Sequence, residues 1–203
     1  MNLRTLARHG FGAVFTVAAI GLGAGSAHAA VTVSMPTPVE PLSSCSHGEF
    51  SQPLLSFKDR NLYTLAPGGD FEGPTSWELS RGATVQADDS RGGVLDLPSG
   101  AQATSPPVCI TADYPRSRMF VRDVDGGEGV FFYVSYLRNG EWTAPKRTGR
   151  FHGDKRGWTL SGGLNIQPNG HPGWQQARFT FVAGGRDSHF QVDDFWVDPK
   201  MRG

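Results

Sequence analysis

Near the end of the chain, Asp193 and Asp194 stand side by side in the run Phe190-Gln191-Val192-Asp193-Asp194-Phe195-Trp196-Val197. Side chains of a β-strand alternate between two faces, so Phe195 and Val197 share one face while Val192 falls on the other. A β-bulge at Asp193-Asp194 removes the conflict, because one extra residue re-aims every side chain beyond it, and such kinks favour functional edges. Two adjacent carboxylates at a kink repel each other unless a cation or hydrogen-bond donors neutralise them. That is a physical reason to expect a bound metal ion there.

A second set of residues is suited to stacking. Beyond position 29 the chain holds 20 aromatics, including Trp77, Trp142, Trp158, Trp174 and Trp196. The apolar face of a pyranose stacks on a flat aromatic ring while a few polar groups fix its orientation. Trp142 follows Asn139-Gly140-Glu141, Trp158 follows Arg156-Gly157 and Trp174 follows His171-Pro172-Gly173, so all three can sit on loops at one end of a scaffold. Trp158 and Trp77 also lie in alternating runs and are expected to pack in the core. Trp142 and Trp174 are therefore the candidate ligand-binding platforms.

Other chemistry is poorly represented. The sequence has no Gly-x-Ser-x-Gly elbow and no His-Glu-x-x-His pair, so neither a nucleophile beside its base nor a zinc-activated water is indicated. The tract His152-Gly153-Asp154-Lys155-Arg156 can line a cleft but reads better as a solvated turn. Arg116, Arg118 and Arg122, close to Asp123 and Asp125, read as surface ion pairs. An enzyme is not the favoured reading. Cys45 and Cys109 are the only cysteines, and with no Cys-x-x-Cys and no suitably spaced His a single disulfide between them is expected in an exported chain. Closing that loop removes unfolded-state entropy worth about 4 kcal/mol.

Export is expected from the first 29 residues. Arg4 and Arg8 form a positive start, Phe11 to Gly23 is apolar, and Ala27-His28-Ala29 is a small-residue cleavage site, the pattern of a removable signal peptide. Residues 30–44, with Pro36, Pro38 and Pro41, read as a flexible leader. Residues 45–203 remain as one domain. Without the two leader arginines the chain carries 17 Lys and Arg against 19 Asp and Glu. No basic cluster suggests a nucleic-acid partner, and no later apolar run approaches the length of a membrane span. A soluble, secreted monomer is expected.

The 22 Gly and 14 Pro beyond position 29 exclude a helical bundle or coiled coil. Ten short apolar runs are separated by Gly, Pro, Asp and Ser: Tyr63 to Leu65, Ser76 to Leu79, Ala83 to Gln86, Val94 to Leu97, Val108 to Thr111, Met119 to Arg122, Val130 to Leu137, Gly157 to Leu160, Ala177 to Val182 and Phe190 to Val197. Many alternate apolar with polar, and no segment keeps a helical period over eleven residues. The expected fold is all-β, an antiparallel β-sandwich.

Pro67-Gly68-Gly69-Asp70-Phe71-Glu72 with Trp77, together with Val192-Asp193-Asp194-Phe195, resembles the paired end motifs of galactose-binding-like jelly rolls, in particular carbohydrate-binding modules. Pro67-Gly68-Gly69 stands where Asn-Gly is usual. The chain also resembles a group of secreted actinobacterial proteins, a likeness that implies export but no particular activity. The jelly-roll resemblance implies that the two motifs lie side by side and share a structural calcium, with Glu72, Asp193 and Asp194 as carboxylate ligands and carbonyls near Gly69 and Asp70 completing the oxygen shell. The alternative is that Glu72 pairs with an arginine while the two aspartates cap a surface turn. The function expected from these readings is a non-catalytic binding or envelope-associated module with a glycan as ligand. A jelly-roll polysaccharide lyase or hydrolase, or a structural partner of another exported protein, is the alternative.

Overall fold

Alternation along the strands builds the molecule. In Arg116–Gly126, Met119 and Val121 are buried in the core while Arg118, Phe120 and Arg122 point away from it. In Trp174–Gly184, Ala177, Phe179, Phe181 and Ala183 form the inward row. Each strand thus hides one apolar side, and two such sheets bury their apolar sides against each other. The computed structural model describes residues 48–111, 116–166 and 174–198. The expected signal peptide, leader and Cys45 lie outside them, and every described residue belongs to the compact unit Val31–Gly203.

The described residues form an antiparallel β-sandwich, as the alternating runs predict, of the jelly-roll type that the resemblance implies. The strands are β1 (Thr64–Leu65), β2 (Glu78–Ser80), β3 (Thr84–Asp88), β4 (Gly92–Pro98), β5 (Gln102–Thr104), β6 (Val108–Thr111) and β7 (Arg116–Gly126). They continue as β8 (Gly129–Arg138), β9 (Glu141–Trp142), β10 (Lys146–Phe151), β11 (Thr159–Leu160), β12 (Leu164–Asn165), β13 (Trp174–Gly184) and β14 (His189–Asp198). One sheet runs β11-β7-β14-β4-β3, with β1 beside β14 and β12 beside β7. The other runs β10-β8-β13-β5-β2, with β6 beside β13 and β9 beside β8. The chain steps between sheets from β7 to β8 and from β13 to β14.

The two longest central strands, β13 and β14, belong to opposite sheets and meet through aromatic rings. Phe181 and Phe195 lie 5.1 Å apart edge to face, Phe179 and Phe195 5.2 Å, and Trp77 and Phe181 5.2 Å. Burying each such ring stabilises by about 2 to 3 kcal/mol. Phe195 reaches this cluster only because β14 is bulged. Its register against β7 shifts between Asp193 and Trp196, and Asp194 adopts φ 51°. Val192, Phe195 and Val197 consequently all face the core, the outcome the broken alternation requires. Among the described residues, no helix is long and apolar enough to cross a membrane.

Candidate functional site

Outward residues of the β10-β8-β13-β5-β2 sheet bring both candidate platforms to one end of one face. Trp174 opens β13, and the alternate positions Gln176, Arg178 and Thr180 share its side of the sheet. Trp142 pairs with Leu137 of β8, whose alternate neighbours Ser135 and Tyr133 oppose Arg178 and Thr180. Residues 32 positions apart in sequence thus arrive on one face, on strands flanking β8. The two differ in environment. Trp174 is 42% exposed, whereas Trp142 lies within β9 instead of on a loop and is 8% exposed.

Arg178 packs against the Trp142 ring. Its guanidinium carbon stands 4.7 Å from the Trp142 ring centroid, and Nη1 donates to Glu78 Oε1 at 3.2 Å. Burial holds the guanidinium below its ordinary value, with Glu78 acting in the opposite sense. The Thr104 and Thr180 hydroxyls lie 3.0 Å apart on the same face. The indole Nε1–H of Trp142 is buried and has no acceptor. A buried donor without an acceptor costs about 1 to 3 kcal/mol, so an acceptor admitted to this position by a shift of the covering side chains would offset that cost.

The opposite outer face, on the β11-β7-β14-β4-β3 sheet, carries a wider network of paired polar groups, although Trp158 Nε1 and Asp193 Oδ1 are buried without a partner. Asp96 accepts from Gln191 Nε2 at 2.9 Å and Gln86 Nε2 at 3.2 Å, and lies 2.8 Å from His189 Nε2. Arg122 donates from Nε to Gln191 Oε1 at 2.8 Å and pairs with Asp88 at 2.8 Å. Its head lies 5.0 Å from the Trp158 ring centroid. Trp158, expected in the core, is therefore an outer-face residue. Trp77 does lie in the core.

At the bulge, Arg91 donates from Nε to Asp193 Oδ2 and from Nη2 to Asp194 Oδ2, each at 2.5 Å. Burial pushes the Asp193 carboxyl up to about 6 despite the pull of Arg91. Asp194 is also raised by burial, with Arg91 opposing and the charges of Asp70 and Glu72 adding to the effect. Glu72 accepts from the Gly93 N–H at 3.2 Å and makes no contact with Arg91. Among the described residues no group of three His, Cys, Asp or Glu side chains is arranged to hold a metal. The jelly-roll end motifs do meet, through the Phe195 N–H to Gly69 O and Ala66 N–H to Phe195 O bonds.

Sequence reading missed Arg91 and Arg178. Arg178 has a visible signal, since it is a charged residue at an alternate position of the apolar run Ala177 to Val182. Arg91 has none, because its partners lie 102 and 103 residues away. Of the arginines read as surface pairs, Arg118 lies 3.7 Å from Asp59 and Arg122 pairs with Asp88, neither using Asp123 or Asp125. Asp154 and Arg156 form an exposed pair at 2.9 Å, as a solvated turn would.

No protein-family model matches the chain, and no curated protein matches it. Several solved structures are similar. A family 11 carbohydrate-binding module from a cellulosomal cellulase of Clostridium thermocellum is 12% identical, covers 70% of this chain and 96% of its own, and gives a TM-score of 0.41. A C-terminal family 6 module from a laminarinase of Zobellia galactanivorans is 16% identical over 61% of this chain and 93% of its own, at 0.41. An arabinose-bound α-L-arabinofuranosidase is 16% identical over 69% of this chain but only 27% of its own, at 0.47. Carbohydrate-binding modules are prominent among the similar structures. Likeness at these scores carries nothing about ligand or activity.

Proposed function

We propose that this protein is an exported, non-catalytic glycan-binding module that uses the outer face of the β10-β8-β13-β5-β2 sheet. One observation carries the reading: Trp174 and Trp142 lie toward the same end of that face, on strands flanking β8, the first exposed and the second buried with an indole N–H that lacks an acceptor. The two rings then take different parts. Trp174 offers the flat surface on which the apolar side of a sugar ring stacks, while Trp142 offers a donor to a sugar oxygen. Arg178, held against Trp142 and joined to Glu78, fixes the angle of that donor. The titratable groups there are already paired with each other, which suits binding better than proton transfer.

A glycan-array screen tests this reading, with retention of Trp174→Ala and wild type compared on the best ligands. Retention of the wild type on at least one glycan and its loss in the variant is the expected result. Binding to none, or equal binding by both, would remove this face from consideration.

The proposal includes the disulfide between Cys45 and Cys109. Cys109 is buried on β6 and is not a free cysteine, and it faces Gln176 on the same outer side as Trp174. Non-reducing peptide mass spectrometry decides it. Calcium at Glu72, Asp193 and Asp194 is the competing proposal for the bulge, where Arg91 holds the two aspartates.

A further inference from the structure

The bulge of β14 carries an arrangement that glycan binding does not use. Adjacent side chains of a regular strand point to opposite faces, which keeps one cation from reaching two consecutive carboxylates. Here the positive φ of Asp194 and the register shift before Trp196 turn both carboxylates toward one guanidinium. Arg91 arrives from the turn between β3 and β4. Its Nε and Nη2 each donate to a different aspartate at 2.5 Å, so the planar fork spans the pair. The flat side of the same head lies 3.9 Å from the Phe120 ring centroid, and Trp158 stands at 5.4 Å. Phe57 packs edge-on against Phe120 at 5.6 Å and steadies that ring.

Two aromatic faces and two carboxylates are the complement of a planar cation with N–H donors along its edge. They are a poor match for calcium, which asks for six to eight oxygens and gains none from the rings. The backbone also serves the arginine. A side chain at Gly92 would strike the Glu72 carboxylate, and one at Gly93 would strike the Phe71 carbonyl. These glycines let residues 71–72 close against the start of β4, next to Arg91, and Glu72 is used in that closure through the Gly93 N–H. The Asp193 side chain is 4% exposed, with Oδ1 buried and unpartnered, so it has no access to bulk water as a substitute partner.

We propose that Phe120, Trp158, Asp193 and Asp194 form a guanidinium-binding cage, filled in cis by Arg91. This side chain supplies the charge compensation for which a divalent ion was expected, and the β3–β4 turn is latched to the bulge of β14 without metal.

Chemical rescue tests the cage. Arg91→Ala is expected to melt at least 6 °C below wild type, as when one partner of a buried pair is removed in a chain of this length. Guanidinium at tens of millimolar should restore part of that loss in Arg91→Ala while leaving wild type unchanged or slightly lower, and potassium at equal ionic strength should restore none. Equal melting of Arg91→Ala and wild type, or guanidinium lowering both alike, would overturn the proposal. So would a rise in the wild-type melt with millimolar calcium after metal stripping. Should Arg91→Ala not fold, nitrogen-15 NMR of the wild type decides. A resolved, slowly exchanging Arg91 Nε–H at neutral pH supports the cage, and exchange as rapid as that of exposed Arg156 contradicts it. None of these readouts involves a glycan, so this proposal and the binding reading fail independently.

Discussion

The two outer faces of the sandwich are built from similar residues and put to different use. On the β11-β7-β14-β4-β3 sheet, Arg91 and Arg122 are shared among Asp193, Asp194, Asp88 and Gln191, and Asp96 gathers Gln86, Gln191 and His189. On the β10-β8-β13-β5-β2 sheet, Arg178 pairs with Glu78, and the same face carries a Trp142 N–H with no acceptor and an exposed Trp174 ring. A face whose donors and acceptors satisfy one another gains little from a ligand, because each new bond must replace an old one. A face with an unmet donor and an exposed ring gains both stacking and a hydrogen bond. Residue types alone do not separate the two, and neither does an unpartnered indole, since Trp158 Nε1 lacks an acceptor as Trp142 Nε1 does; the extent of the paired network and the exposed Trp174 ring do.

The contrast is broken most severely at the bulge. Asp193→Ala should cost about 3 kcal/mol, since it removes one partner of a buried ion pair, and thermal melts should show this with glycan retention unchanged. A loss below about 0.5 kcal/mol, the level of an ordinary surface change, would mean that the paired network is not stabilising. Next in size is Trp142→Ala, which deletes a buried ring and should destabilise by about 2 to 3 kcal/mol. Trp142→Phe separates its two roles, because it keeps most of the ring and removes the unpartnered N–H. It should melt close to wild type yet bind glycan several-fold more weakly, by the loss of one hydrogen bond of about 1 kcal/mol. Equal affinity in isothermal titration would assign the indole N–H no part in recognition. Arg122→Ala, on the other face and partly exposed, should cost about 1 kcal/mol and leave affinity untouched; a drop in affinity would relocate the binding face.

Much of the scaffold was readable before any coordinates. All ten apolar runs fall on strands, because half-buried strands announce themselves by alternation. The strands passed over, β5, β9, β10 and β12, have short or polar sequences such as Lys146-Arg147-Thr148-Gly149-Arg150, and only pairing with neighbours makes them strands. The bulge was legible from Val192 and Phe195, since a register fault is written in the spacing of apolar residues. What neutralises the aspartates was not. The sequence stated that they need a positive charge, and the resemblance supplied calcium, whereas Arg91 enters from a turn about a hundred residues earlier. Trp174 and Trp142 were picked from the turn residues before them. Turn residues indicate where a chain reverses, but not whether the next ring ends up under a neighbouring arginine, which is where Trp142 lies.

Trp174→Ala gives the most direct test of the central claim that the outer face of the β10-β8-β13-β5-β2 sheet recognises a glycan through an exposed platform. Trp174 stands 42% exposed at the start of β13, so its removal should shift the melting temperature by no more than a few degrees. Titration calorimetry against the best glycan from the array should then show at least a tenfold loss of affinity, the scale of one stacking contact of about 1.5 kcal/mol. A variant that melts with wild type and binds as wild type would contradict the account.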